Sequence, residues 1–169
     1  MNIEFINKYI YNNDIDGLTQ YFKSLSIEDK NIFINYLIEQ LSKYRMPVEN
    51  NQRNTVALTL SELNCDESIP CIIKIIKNEY ESKYIGTLVY SLQNLNCADY
   101  INQIFFLLYS GNYEVRRNMF ELIEQNKDKI SSEDFENMKN NLNKIIENYK
   151  DIKNNLINKG YKFISETDT

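Results

Sequence analysis

Residues 55–72 read TVALTLSELNCDESIPCI and residues 87–104 read TLVYSLQNLNCADYINQI, nearly the same sentence 32 positions later. Thr55 matches Thr87, Leu60 matches Leu92, Leu63-Asn64-Cys65 recurs as Leu95-Asn96-Cys97, and Ile69 and Ile72 recur as Ile101 and Ile104. A fixed period in this range marks a helical solenoid, in which each unit buries its apolar face only by stacking on the next. The spacing therefore predicts an all-α fold: a short α-solenoid of antiparallel helix pairs within one domain spanning 1–169.

Each copy divides into two helices. In the first, one helix is expected over 52–63 and its partner over 67–78, with Pro70 in the partner's first turn, where a missing N–H costs little. The second copy places helices over 83–95 and 99–109, with Gly111-Asn112 as the turn. A degenerate third copy carries Val115, Met119, Leu122 and Ile123 over 113–125. Repeats are thus clearest over 52–126.

N-terminal helices fill 1–45. Ile3, Phe5, Ile6, Tyr9 and Ile10 give a short amphipathic helix, Asn12-Asn13-Asp14 a turn and N-cap, and Leu18, Tyr21, Phe22 and Leu25 follow at helical spacing. Ser26 opens the next helix with Asp29 in a near capping box, and Phe33, Leu37 and Leu41 form its inner face. Pro47 disfavours helix at Met46, so 47–51 is expected to be a loop.

A long helix is expected over 131–160, started by Ser131 and Asp134. Phe135, Met138, Leu142, Ile145, Tyr149, Ile152 and Leu156 alternate steps of three and four, the spacing of an a/d seam. The seam serves either as a cap on the preceding helices, the expected arrangement, or as a contact with another chain. Gly160 is the expected C-cap, and the tail beyond it is expected to fray.

Composition limits the function. The chain of 169 residues is 43% hydrophobic and 25% charged, ordinary for a globular protein. With 24 acidic and 19 basic side chains, its formal charge is −5 and its pI about 4.9. That sign is wrong for a phosphate-binding surface, so nucleic acid is disfavoured; it serves solubility and also suits a basic partner. The Asn, Ile, Lys and Tyr content resembles the codon bias of an AT-rich genome. No leader pattern and no long apolar run is present, so no membrane association is expected and the chain reads as cytoplasmic. Cys65, Cys71 and Cys97 form no CxxC pair, which argues for small buried residues and against a zinc site.

Catalytic signals are missing. The chain has no histidine, and no phosphate-loop, dinucleotide or zincin motif. No catalytic residue, metal or cofactor is expected. The one carboxylate group that stands out, Glu62, Asp66, Glu67 and Asp99, falls where helix-start acids belong and is an acidic patch.

Ile69-Pro70-Cys71-Ile72-Ile73 is similar to the Ile-Pro start of a second helix in HEAT-like repeats, and Val115-Arg116 to the Val-Arg pair opening a first helix. The resemblance covers about 52–125. Arg53 holds the place of Arg116, but the middle copy has Ile85 there and Asn102 in place of Pro70. The resemblance implies binding, with one helix of each pair lining a concave surface. If second helices line it, Ile69, Ile72, Ile73 and Ile76, matched by Ile101, Ile104, Phe105 and Leu108, are buried. Lys74 and Lys77, aligned with Phe106 and Tyr109, then point outward beside Asn102 and Gln103 and form the candidate partner-binding set.

Three functional classes follow. The first is a non-catalytic protein-binding module, specifically an acidic bacterial immunity protein that inhibits a basic toxin domain. The second is an adaptor that forms a homo-oligomer through the heptad helix. The third is an enzyme, either a HEAT-like lyase or a DNA glycosylase, and the acidic charge weighs against DNA.

Overall fold

The computed structural model describes residues 1–44, 48–82 and 84–167, with side-chain surroundings as far as residue 150. Among them the regular elements are all helical: α1 Ile3–Tyr11, α2 Ile15–Ser24, α3 Ile27–Lys43, α4 Asn50–Glu62, α5 Ile69–Asn78, α6 Gly86–Ser91, α7 Ile101–Ile104, α8 Leu107–Ser110, α9 Tyr113–Asn126 and α10 Ser132–Thr167. Two compact units result, Met1–Ile130 and Ser131–Thr169.

Within the first unit, α4 packs on α2, α6 on α4 and α9 on α6, while α5 packs on α3 and α7 on α5. The α3–α4 and α8–α9 pairs also pack together, and the buried apolar side chains of these helices form the core of the unit. Leu60 and Leu92, Cys65 and Cys97, Ile69 and Ile101, and Ile72 and Ile104 are all buried, as their shared positions predict. Leu63 is half-buried although its counterpart Leu95 is buried.

Short polar side chains start the helices. Asn2 accepts from the N–H groups of Glu4 and Phe5, Asp14 from Gly17 at 2.8 Å, Ser26 from Asp29 at 3.2 Å and Asn112 from Val115 at 3.0 Å. Each satisfies a donor that the first turn leaves without a helical partner. Asparagine also ends two helices. Asn13 and Asn64 adopt φ of 57° and 52°, the left-handed conformation that asparagine tolerates best after glycine. The following N–H then reaches back, Asp14 to Tyr9 O and Cys65 to Leu60 O, closing Schellman turns.

Several expectations need correction. The second copy is not built from two long helices: α6 stops at Ser91 and passes into a 3₁₀ turn at Leu92–Asn94. Its partner breaks at Phe105-Phe106 between α7 and α8, where Leu108 N–H bonds Phe105 O, three residues back. The two rings separate there, Phe105 into the core and Phe106 edge-on to Tyr80 with centroids 5.4 Å apart. Because a 3₁₀ turn takes three residues and an α turn 3.6, the next inward position comes one residue early. Leu107 is buried in the place expected of Leu108, which is half-buried.

The partner helix of the first copy begins at Ile69, after a 3₁₀ turn over Asp66–Ser68, and α4 begins at Asn50, before the expected loop end. Pro47 and Lys83 lie outside the described residues.

The second unit is the single helix α10. Ser131 Oγ accepts from Asp134 N–H at 3.0 Å and donates to its carboxylate at 2.8 Å, the start anticipated for it. The helix runs through Gly160 to Thr167, so Gly160 is not its C-cap. Glycine costs only about 1 kcal/mol inside a helix, and Tyr161, Phe163 and Ile164 follow it. Along the seam Met138 is buried, Leu142 and Ile145 are half-buried, and Phe135 and Tyr149 are exposed. The side chains of Ile152 and Leu156 lie outside the described residues. No helix among the described residues is long and apolar enough to cross a membrane.

Candidate functional site

The carboxylates Glu62, Asp66, Glu67 and Asp99 are all exposed, at the turns that join the two helices of each copy. They divide by what they do. Asp66 Oδ1 accepts the backbone N–H of Asn96 at 2.9 Å, joining the turn of the first copy to that of the second. Glu67 Oε2 accepts from the Cys65 thiol at 3.3 Å. Burial, and then that hydrogen bond to a carboxylate, push the Cys65 thiol up to about 12, so it stays a protonated donor. Burial likewise raises Cys97 to about 11. Both are inert spacers, and all three cysteines are free.

Beside Glu67 lies a recess of about 410 Å³, lined by Phe22, Asn31, Ile34, Asn35, Leu63, Asn64, Cys65 and Glu67. It takes residues from α2, α3 and the turn after α4. The Schellman turn places Asn64 at its rim.

The six residues of the candidate partner-binding set come from α5, α7 and α8. Lys74 and Lys77 are exposed near the C-terminal end of α5, opposite the end that carries Asp66 and Glu67. Lys77 Nζ lies 3.5 Å from Gln103 Oε1, and Lys74, Lys77 and Gln103 line a shallow groove with Pro70, Ile73 and Tyr100. Gln103 is exposed, Asn102 is half-buried, Phe106 is half-buried against Tyr80, and Tyr109 is 43% exposed. Lys77 and Gln103 thus meet directly. Tyr80 joins Phe106 in this surface without having been singled out, because it falls after α5, outside the repeat alignment.

A second divergent position lies on α4 and α6. Leu58 and Tyr90 are 32 residues apart and share a groove with Thr87, Tyr113, Glu114, Arg117 and Asn118. Tyr90 is 51% and Tyr113 76% exposed. The alignment contains this signal, in an apolar residue exchanged for an exposed aromatic one.

Deeper inside, Arg53 is fully buried. Its Nη1 meets Glu79 Oε2 at 2.5 Å, and its Nη2 donates to Tyr84 O at 2.9 Å. A charge withdrawn from water this completely persists only when paired and hydrogen-bonded. Its contacts are internal, from α4 to the chain after α5, so its role is to hold the fold.

No group of three or more His, Cys, Asp or Glu side chains among the described residues is placed to hold a metal ion. Comparison of the chain with family models, with curated proteins and with solved structures finds no match in any of the three.

Proposed function

We propose that the chain is a non-catalytic protein-binding module, a short right-handed HEAT-like solenoid over the repeats, and that it inhibits a basic protein domain as a bacterial immunity protein masks a toxin. The observation that carries this reading is the row of exposed carboxylates on the inter-helix turns. Asp66 is held by a backbone bond and Glu67 by the Cys65 thiol, and all four carboxylates are exposed. Such a row draws a basic partner and fixes its orientation more than it adds affinity. Tyr80, Phe106 and Tyr109 offer the large, stiff side chains on which interface energy concentrates.

The test is co-expression of the full tagged chain with the products of its neighbouring genes. The reading expects a stable one-to-one complex with a product whose domain pI is above about 9, dissociating as salt is raised. Absence of a complex with any neighbouring product contradicts it.

A second reading rests on α10. Phe135, Ile146 and Tyr149 are exposed along it, and long helices whose apolar residues meet water tend to pair. Self-association through α10 predicts a dimer mass by light scattering; a monomer removes it.

A further inference from the structure

The recess beside Glu67 combines features that single out one kind of occupant. Its volume of about 410 Å³ falls within the roughly 300–1,000 Å³ of ordinary ligand clefts. Its lining gathers one carboxylate, Glu67, three asparagine amides, Asn31, Asn35 and Asn64, and the apolar side chains of Phe22, Ile34 and Leu63. Glu67 is anchored through one oxygen by the Cys65 thiol. The three asparagine side chains make no hydrogen bond among the described residues, so their oxygens are available as acceptors. Phe22 packs at a tilt on Phe33, with centroids 5.5 Å apart, and its ring already meets a cation, with Lys30 Nζ 5.3 Å from the centroid.

A carboxylate, several neutral acceptors and an aromatic face suit a planar group with many donors and one positive charge. An ammonium satisfies the charge but cannot stack or fork, and an anion meets Glu67. We propose that this recess receives the side chain of one arginine projecting from a basic protein segment. Its guanidinium pairs with Glu67, donates to the asparagine oxygens and displaces Lys30 from the Phe22 ring, while its methylene stem lies on Leu63 and Ile34. This rests on the basic-partner reading and adds the point at which that partner is read. Glu62, Asp66 and Asp99 then steer the segment, and the recess selects arginine over lysine.

The probe is the peptide (Gly-Arg)6, with (Gly-citrulline)6 as its uncharged counterpart, titrated into the full isotope-labelled chain at low salt and followed by NMR. Saturable shifts of the Asn31, Asn35 and Asn64 side-chain amides with the arginine peptide alone are expected. Glu67→Gln weakens binding about fivefold, as for an exposed pair, and Asn35→Phe, which fills the recess without changing charge, about tenfold. Asp99→Asn, which removes a charge outside the recess, changes it less than about twofold. If the peptide binds but Glu67→Gln matches Asp99→Asn and Asn35→Phe matches the parent, the recess is overturned and the acidic edge stands. Absence of binding overturns both. Each variant's urea unfolding curve is taken alongside, so that a folding defect is not scored as lost binding.

Discussion

The two copies share the tripeptide Leu-Asn-Cys and fold it in different ways. In the first, α4 stays α-helical to Glu62, and Asn64 enters the left-handed region to close a Schellman turn. In the second, α6 has already tightened into a 3₁₀ turn, Leu95 is extended at ψ 152°, and Asn96 gives its N–H to Asp66 of the first copy. Identical residues thus end one helix and tie two turns together. A repeat in sequence fixes which side chains are buried more firmly than it fixes the backbone that carries them.

The same comparison extends inward. Arg53 and Glu79 form a pair at the first copy's base, and 32 residues on stand Ile85, fully buried, and Gly111. One copy solves a buried position with charge and the other without it. Arg53→Ile therefore removes the partner of Glu79 and the hydrogen bond to the Tyr84 carbonyl and is expected to cost about 3 kcal/mol. Adding Glu79→Gly, which imports the second copy's solution, should return part of that loss. Chemical denaturation of the two variants measures both, and equal losses break the equivalence.

Gly111 tests the other half. An added Cβ there would lie 2.7 Å from Leu107 O and 2.6 Å from Val115 Cγ1, and backbone cannot move aside as a flexible side chain does. Gly111→Ala is expected to cost about 2 kcal/mol by overpacking. A neutral result would mean that α8 and α9 approach less closely.

The matched thiols give a pH prediction. Cys65 and Cys97 have folded values of about 12 and about 11 against an ordinary value near 9.0, so the folded state holds their protons longer. Stability is therefore full below pH 9 and falls as pH rises from there towards 11 and 12. The loss at pH 10 is about 1 kcal/mol for each thiol. Denaturation of a Cys65→Ala/Cys97→Ala variant over pH 7–10 should show a flatter profile; an unchanged slope rules the thiols out.

The smallest effect separates the twin asparagines. Asn64→Gly should stabilise by roughly 0.5 kcal/mol, since glycine enters the left-handed region without strain. Asn96→Gly should destabilise by a similar amount through unfolded-chain entropy alone. Matching signs would erase the backbone difference between the copies.

Helix existence and the buried set were legible in the sequence because both follow from the spacing of apolar residues. Leu60, Ile72, Leu92 and Ile104 needed no structure to be placed inside. The break at Phe105-Phe106 was not legible: both residues suit a continuous helix, and the ring contact of Phe106 with Tyr80 joins segments that the alignment does not pair. Arg53 could be aligned but not understood until Glu79 was found beside it. Of the candidate site, the exposure of Lys74, Lys77 and Tyr109 follows from their spacing. The recess does not, since Phe22, Asn31 and Asn35 come from helices with no counterpart in the repeat.

The most direct test of function is the affinity of the full chain for the basic product of a neighbouring gene. It is measured by calorimetry on the parent and on a Glu62→Gln/Glu67→Gln/Asp99→Asn variant. The acidic-edge account predicts binding at least about tenfold weaker in the variant, with a shallower dependence on salt. Equal affinity and equal salt dependence in the two proteins would contradict it.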